Sequence, residues 1–226
     1  MKATIHQPNF LPYLGVFHKI KHCDLFVLYD VAQYVRGRFD NRNRIKTQNG
    51  PTWLTIPLRV QDSFMRRFFE IPLPPDIHWR NKHLRTIQQN YSRAPYFRMY
   101  FPDIERIYST PHGSLAALGT AFIEYLMRQF AIDTPVVKTK DLGLDLNLKS
   151  SAMLIEILKR VEAHDYLAGA SGRKYMDPDL MEREGIRVEF HEFVHPTYRQ
   201  LHGDFVPSLA AIDLLFNEGD NSKSFL

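Results

Sequence analysis

The sequence predicts an α/β protein: a mostly parallel sheet with flanking helices and an inserted helical cap region. Three observations support this. Short apolar runs at residues 4–5, 25–29, 134–137, 166–169 and 186–190 alternate with helical stretches, the pattern of βα units. Leu25-Phe26-Val27-Leu28 is apolar at every position rather than at every second one, as in a strand covered on both faces. A chain of 226 residues, 44% hydrophobic, can bury a large core without staples.

Taken in order, Thr4-Ile5 reads as a short strand broken by Pro8. A helix can start from Pro12, since proline is tolerated in a first turn; Leu14, Phe17 and Lys21 then share a face. Leu25 to Tyr29 completes a β-α-β unit. Asn49-Gly50-Pro51 signals a hairpin or tight bend, and residues 52–58 alternate Trp53, Thr55 and Pro57 with Leu54, Ile56 and Leu58. Residues 72–78 are a proline-rich loop. Residues 78–108 read as helical with a break at Ala94-Pro95. Leu115, Leu118, Phe122, Tyr125 and Leu126 mark an amphipathic helix. Residues 78–130 are expected to be a helical cap within one domain spanning 1–226. Ser150 or Ser151 is expected to cap a helix burying Leu154, Leu158 and Val161. Residues 209–216 form a last helix before Gly219.

The net charge of +4 hints at small anionic ligands. Without a basic stripe or a binding motif, no nucleic-acid partner is expected. Cys23 is the only cysteine, so no internal disulfide can form, which fits a reducing cytoplasm. The N-terminus lacks a basic-then-apolar leader, and no apolar run approaches the roughly 18 residues that span a bilayer. The expectation is a cytoplasmic protein with no membrane partner.

Four constellations carry the candidate chemistry. His6, Gln7 and Asn9 flank Pro8 where a strand ends, the edge at which open α/β sheets bind ligands. Imidazole exchanges protons near neutrality and the amides both donate and accept. Asp30 ends the second strand and could bring a carboxylate to the same edge, followed by Gln33 and Tyr34. Next, Arg36, Arg38, Asn41, Arg42, Asn43, Arg44 and Lys46 supply donors suited to phosphate, sugar hydroxyls or carboxylate. The Gly169-Ala170-Ser171-Gly172-Arg173 turn, followed by Tyr175, lets backbone amides approach an anion, although it matches neither a Walker A nor a dinucleotide fingerprint. Finally, His195, Tyr198 and Gln200 read as a polar cluster near substrate. His191 and His195 have the zinc spacing of a helix, but Pro196 and the strand before it disfavour one, so no metal site is expected. Cys23 reads as a packing residue rather than a nucleophile.

These residues together resemble the WbqC-like family of bacterial proteins. The matching text is Ile5-His6-Gln7-Pro8-Asn9-Phe10-Leu11-Pro12-Tyr13-Leu14-Gly15, then Asp30 with Gln33-Tyr34, and Asn41-Arg42-Asn43 with Ile45-Lys46. It continues with Tyr166-Leu167-Ala168-Gly169 through Tyr175, His195-Pro196 with Tyr198 and Gln200, and Ile212 to Asn217. The family's Asp-Asp-Val-Gln-Tyr segment reads Asp30-Val31-Ala32-Gln33-Tyr34 here, with one carboxylate fewer.

The resemblance implies an association with O-antigen and related surface-polysaccharide (lipopolysaccharide) synthesis. It suggests a transferase moving an acyl or aminoacyl group onto a nucleotide-activated amino sugar. In that reading His6 is the general base, Asp30 orients the amine or the imidazole, and Gln7 and Asn9 hold the donor carbonyl. Asn41, Arg42, Asn43, Lys46, Ser171 and Arg173 hold phosphates. The partners would be a nucleotide-linked sugar or other phosphate-bearing substrate and an acyl or aminoacyl carrier; the cofactor is left open. The element order also looks like the nucleotidyltransferase form of the Rossmann-like fold, which makes a nucleotidyltransferase or nucleotide-binding enzyme one alternative. If Gly15 matches the glycine of its His-x-Gly-His motif, however, the histidine positions hold Tyr13 and Val16. A non-catalytic sugar-precursor binding protein is the other alternative.

Overall fold

The computed structural model describes residues 1–63 and 65–226. Strand β1 (Lys2–His6), helix α1 (Leu14–Lys21) and strand β2 (Leu25–Leu28) precede a hairpin of β3 (Arg42–Thr47) and β4 (Gly50–Thr55). Helices α2 (Val60–Ser63), α3 (His78–Tyr91), α4 (Phe97–Ser109) and α5 (Leu115–Gln129) lead to β5 (Val136–Lys138). Then come α6 (Ser150–Arg160), β6 (Asp165–Ala168), α7 (Pro178–Arg183), β7 (Arg187–Phe190) and α8 (Ile212–Glu218).

Five strands form one sheet in the order β5-β2-β1-β6-β7, every pair parallel. With helices on its faces, this is a Rossmann-like α/β architecture. The uninterrupted apolar run of β2 has a direct cause. Leu25 and Val27 enter a core with Ala3, Ile5 and the α6 residues Met153, Leu154 and Leu158. Phe26 and Leu28 enter the opposite core with Phe17 and Ile20 of α1 and Phe122 of α5. Both faces are buried, so both parities must be apolar.

Several boundaries depart from the sequence expectation, each for a tertiary reason. Helix α1 starts at Leu14 rather than at Pro12, because Tyr13 bridges Ala210 and the Pro12 carbonyl accepts the Ala211 amide at 2.9 Å. The basic stretch from Arg42 is strand β3, not a loop, and its partner β4 ends at Thr55 rather than at residue 58. The Asn49-Gly50 bend does close that hairpin, with Gly50 at φ +93°. Strand β5 is shifted to Val136–Lys138. Neither serine caps α6: Lys149 is the N-cap residue, and Ser151 Oγ instead accepts the Asp177 amide at 2.8 Å.

The strand order carries the functional consequence. The chain builds outward from β1 through β2 to β5, then returns to lay β6 on the other side of β1, followed by β7. The order therefore reverses between β1 and β6. At such a reversal, ligands of open α/β sheets bind outside the carboxyl ends of the strands.

Candidate functional site

Two loops meet at this switch point. The first is His6-Gln7-Pro8-Asn9, a tight turn in which the Gln7 carbonyl accepts the Asn9 amide at 2.8 Å. Helix α5 fixes it from below, since a Cβ on Gly119 would lie 1.9 Å from the Pro8 carbonyl oxygen. Only glycine lets the helix come this close. The Phe10 amide donates to the Asp40 carbonyl at 3.1 Å and ties the loop to the 35–40 segment. Held this way, Asn9 Nδ2 lies 3.5 Å from His6 Nε2, while Asn9 Oδ1 is buried with no partner among the described residues.

Beneath the turn lies a residue that the sequence reading missed. Lys19, on α1, is only 3% exposed, and its Nζ donates to the Ile5 carbonyl at 3.0 Å. It forms no ion pair with a carboxylate among the described residues. Burial lowers its pKa to about 8. The Nζ is 4.0 Å from where a Cβ on Gly169 would stand, so it lies over the β1–β6 seam itself. Burial, with the nearby Lys19 charge, also pushes His6 well below the usual imidazole range. The site thus pairs a neutral imidazole with a buried cation that has two further N–H groups to offer. One sequence signal was available: Lys19 stands between the buried Phe17 and Ile20 in a short helix.

The second loop is the turn after β6. Gly169 leads into a 3-10 helix, Ala170–Lys174, with the Gly172 amide donating to the Gly169 carbonyl at 2.8 Å. Ser171 is exposed at its rim. The Arg173 guanidinium stacks 4.2 Å over Phe190 and lies 3.8 Å from Glu192. Tyr175, which closes this turn, is exposed. On the β7 side, His18 Nδ1 and His191 Nε2 are 2.8 Å apart, and His22 stacks on His18 at 4.2 Å. Burial holds His191 near a pKa of about 4 and lowers that of His18. Among the described residues no three His, Cys, Asp or Glu side chains converge as a metal site.

Other predicted residues are engaged elsewhere. Asp30 is 3% exposed, and its Oδ1 accepts Thr139 Oγ1 at 2.8 Å and the Lys140 amide at 2.9 Å, clamping the end of β2 to the segment after β5. Asn41 bridges the Tyr34 hydroxyl and the Ile56 carbonyl. Asn43 Nδ2 donates to the Leu11 carbonyl, and Lys46 Nζ to the carbonyls of Gly203 and Asp204. Arg42 holds the carbonyls of Gly37 and Arg38. Asn43 faces inward because its stretch is a strand, whose alternate side chains enter the core, while Arg42 and Arg44 stand on the opposite face. Gln33 is exposed at a bridge to Arg67, its amide reaching Met65 Sδ at 3.0 Å. Tyr198 and Gln200 are bound to the fully buried Asp213, at 2.7 and 2.8 Å to its Oδ2, while Tyr91 reaches Oδ1 at 2.6 Å. His195 packs between Phe193, Tyr198 and Phe205. Burial lifts the Cys23 thiol to about 11, so it is not a thiolate.

A model of the WbqC-like protein family matches residues 7–225, nearly the whole chain. The chain belongs to the WbqC-like family. It is also similar to the uncharacterized protein Rv1507c of Mycobacterium tuberculosis, with 31% identity over 227 residues, covering 100% of this chain and 97% of the relative. The family match spans Gln7 to Asn9 of the first switch-point loop, the turn after β6, α1 with Lys19, and the Asp213 cluster. No helix among the described residues is long and apolar enough to cross a membrane.

Proposed function

We propose that this protein is a cytoplasmic transferase that moves an acyl or aminoacyl group onto the amine of a nucleotide-activated amino sugar, a step in making surface-polysaccharide precursors. The observation that carries the proposal is Lys19: a buried ammonium with no carboxylate partner among the described residues, beside a neutral imidazole, at the switch point of a parallel sheet. Burying a charge without a counter-ion is costly, and an anionic ligand group or a developing oxyanion removes that cost when it binds.

The chemistry follows from these groups. The neutral sugar amine attacks the donor carbonyl, forming the C–N bond and a tetrahedral intermediate with an acidic N–H. His6, uncharged at neutral pH, accepts that proton; a weak base suffices because the intermediate's ammonium is itself acidic. The free Oδ1 of Asn9 accepts a hydrogen bond from the amine and aims its lone pair. Lys19 faces the negative charge that develops as the carbonyl is attacked. The imidazolium then returns the proton to the leaving group as the carbonyl reforms. Gly169 and Ser171 offer backbone and hydroxyl donors to phosphate at the rim. Asp30 is given no catalytic part here, because its carboxylate is committed to Thr139 and Lys140.

The test is a transfer assay preceded by a thermal-shift screen of nucleotide amino sugars, free nucleotides and acyl donors. A ligand at 100 times its Kd raises stability by about 2.7 kcal/mol, a visible shift. His6→Ala is expected to fold normally, bind the nucleotide amino sugar and lose transfer. A folded His6→Ala protein with wild-type turnover would overturn the assignment.

A further inference from the structure

The β3–β4 hairpin turns one face outward, and what stands on it is unusual for a solvated face. Trp53 is 41% exposed and Phe39 48% exposed, their rings 5.5 Å apart and inclined at 43°. The Arg42 guanidinium lies 4.4 Å from the Trp53 ring centre and that of Arg44 5.7 Å. Arg36, Arg38, Arg42 and Arg44 make no ion pair with a carboxylate among the described residues. Arg42 is spent internally, holding the carbonyls of Gly37 and Arg38 and so ordering the loop that carries Arg36, Arg38 and Phe39. Arg44 Nε is buried without a partner among the described residues. Two open aromatic rings surrounded by uncompensated guanidinium groups fit a ligand that is planar at one end and anionic next to it.

This face also adjoins the switch point. The Asp40 carbonyl, one residue beyond Phe39, accepts the Phe10 amide, one residue beyond Asn9. We propose that Phe39 and Trp53 stack the base of a nucleoside diphosphate while Arg36, Arg38 and Arg44 pair with its phosphates, directing the attached sugar toward His6 and Lys19. The inference rests on the reading above that the substrate carries a nucleotide, and it assigns the part of the protein that recognises it. Base–aromatic stacking is worth about 1–3 kcal/mol per base, and guanidinium forks match phosphate oxygens two at a time.

The protein carries its own reporter. Of the two tryptophans, Trp53 is open and Trp79 is only 6% exposed, so a stacked base quenches the solvent-accessible emission. Uridine, guanosine and adenosine diphosphates are titrated into the wild-type protein, with pyrophosphate and glucosamine 1-phosphate as base-free probes. At least one nucleoside diphosphate is expected to quench Trp53 and to bind at least tenfold more tightly than either base-free probe. Trp53→Leu is expected to lose that tenfold preference, measured calorimetrically, without changing pyrophosphate binding. Trp53→Phe, which keeps a ring, should retain most of the preference. Arg36→Gln with Arg38→Gln should weaken nucleoside diphosphate and pyrophosphate alike.

Nucleoside diphosphate binding that leaves Trp53 emission and the Trp53→Leu affinity unchanged would overturn the subsite. So would oligothymidylate affinity that climbs with length, which would assign the face to single-stranded nucleic acid. The two proposals fail separately. A nucleotide amino sugar that stabilises the protein without quenching Trp53 removes this subsite alone. Quenching by nucleoside diphosphates with full turnover in His6→Ala removes the transfer mechanism alone.

Discussion

Lys19→Met should make the ligand-free protein more stable and its function worse. The pKa of Lys19 falls from the ordinary 10.5 to about 8, with burial as the first cause. Each pH unit of that displacement is worth about 1.4 kcal/mol, so keeping the ammonium in the fold costs about 3 kcal/mol at pH 7. Methionine has a similar length and no charge. It forfeits the bond to the Ile5 carbonyl, worth about 1 kcal/mol, which leaves a net gain of about 2 kcal/mol.

The pH dependence supplies a second signature. The folded-state pKa lies below the unfolded one, so between about 8 and 10.5 the unfolded chain binds the extra proton, and wild-type stability rises with pH across that window. The penalty is present in full below it. Urea denaturation of both proteins at pH 7 and 9.5 isolates the effect: the wild type should gain about 2 kcal/mol relative to Lys19→Met on going to the higher pH. The variant should also lose the thermal shift given by phosphate-bearing ligands. A Lys19→Met protein that is less stable at pH 7, with the same pH dependence as wild type, would refute the reasoning, because Lys19 would then be an adequately solvated or paired cation.

Three further outcomes test the framework around the site. Gly119→Ala places a methyl group against the Pro8 carbonyl, so denaturation should show a loss of about 1–3 kcal/mol, and transfer should fall because the His6–Asn9 loop is displaced. Asp213→Ala leaves the hydroxyls of Tyr91 and Tyr198 and the Gln200 amide without their buried acceptor. A loss of about 3 kcal/mol or more is expected in urea, while the milder Tyr198→Phe should lower stability without changing the substrate KM. His83 is 4% exposed and burial lowers its pKa to about 4. Below 6.5 the unfolded chain takes up a proton that the fold refuses, so stability should fall by about 3 kcal/mol between pH 7 and 4 from this group alone. His83→Gln should flatten that acid limb in a pH series of melts.

Much of the backbone plan was legible because it depends on neighbours in sequence. An uninterrupted Leu25–Leu28 run marks a strand buried on both faces, and Asn49-Gly50 marks the hairpin bend. The apolar repeat from Leu115 marks α5. Where partners far along the chain decide, local reading slipped. Pro12 and Tyr13 stay extended because they meet residues 210 and 211, and Ser151 serves Asp177 instead of capping its own helix. From composition, the Asn-Arg-Asn-Arg stretch reads as a set of ligand donors. As a strand it sends Asn43 inward to the Leu11 carbonyl and leaves Arg42 and Arg44 on the outside.

The sequence by itself determined the α/β class, the family, and the His-Gln-Pro-Asn turn at the end of a first strand, all of which are carried by residue types and short spacings. Only the tertiary structure decided which polar groups are free to act. A side chain's hydrogen-bond partners are set by what packs against it, so Asp30, Tyr198 and Gln200 are consumed by contacts more than ten residues distant in sequence. The same packing buries Lys19 and Asn9 Oδ1 at the β1–β6 switch point with neither a carboxylate for the first nor a donor for the second among the described residues.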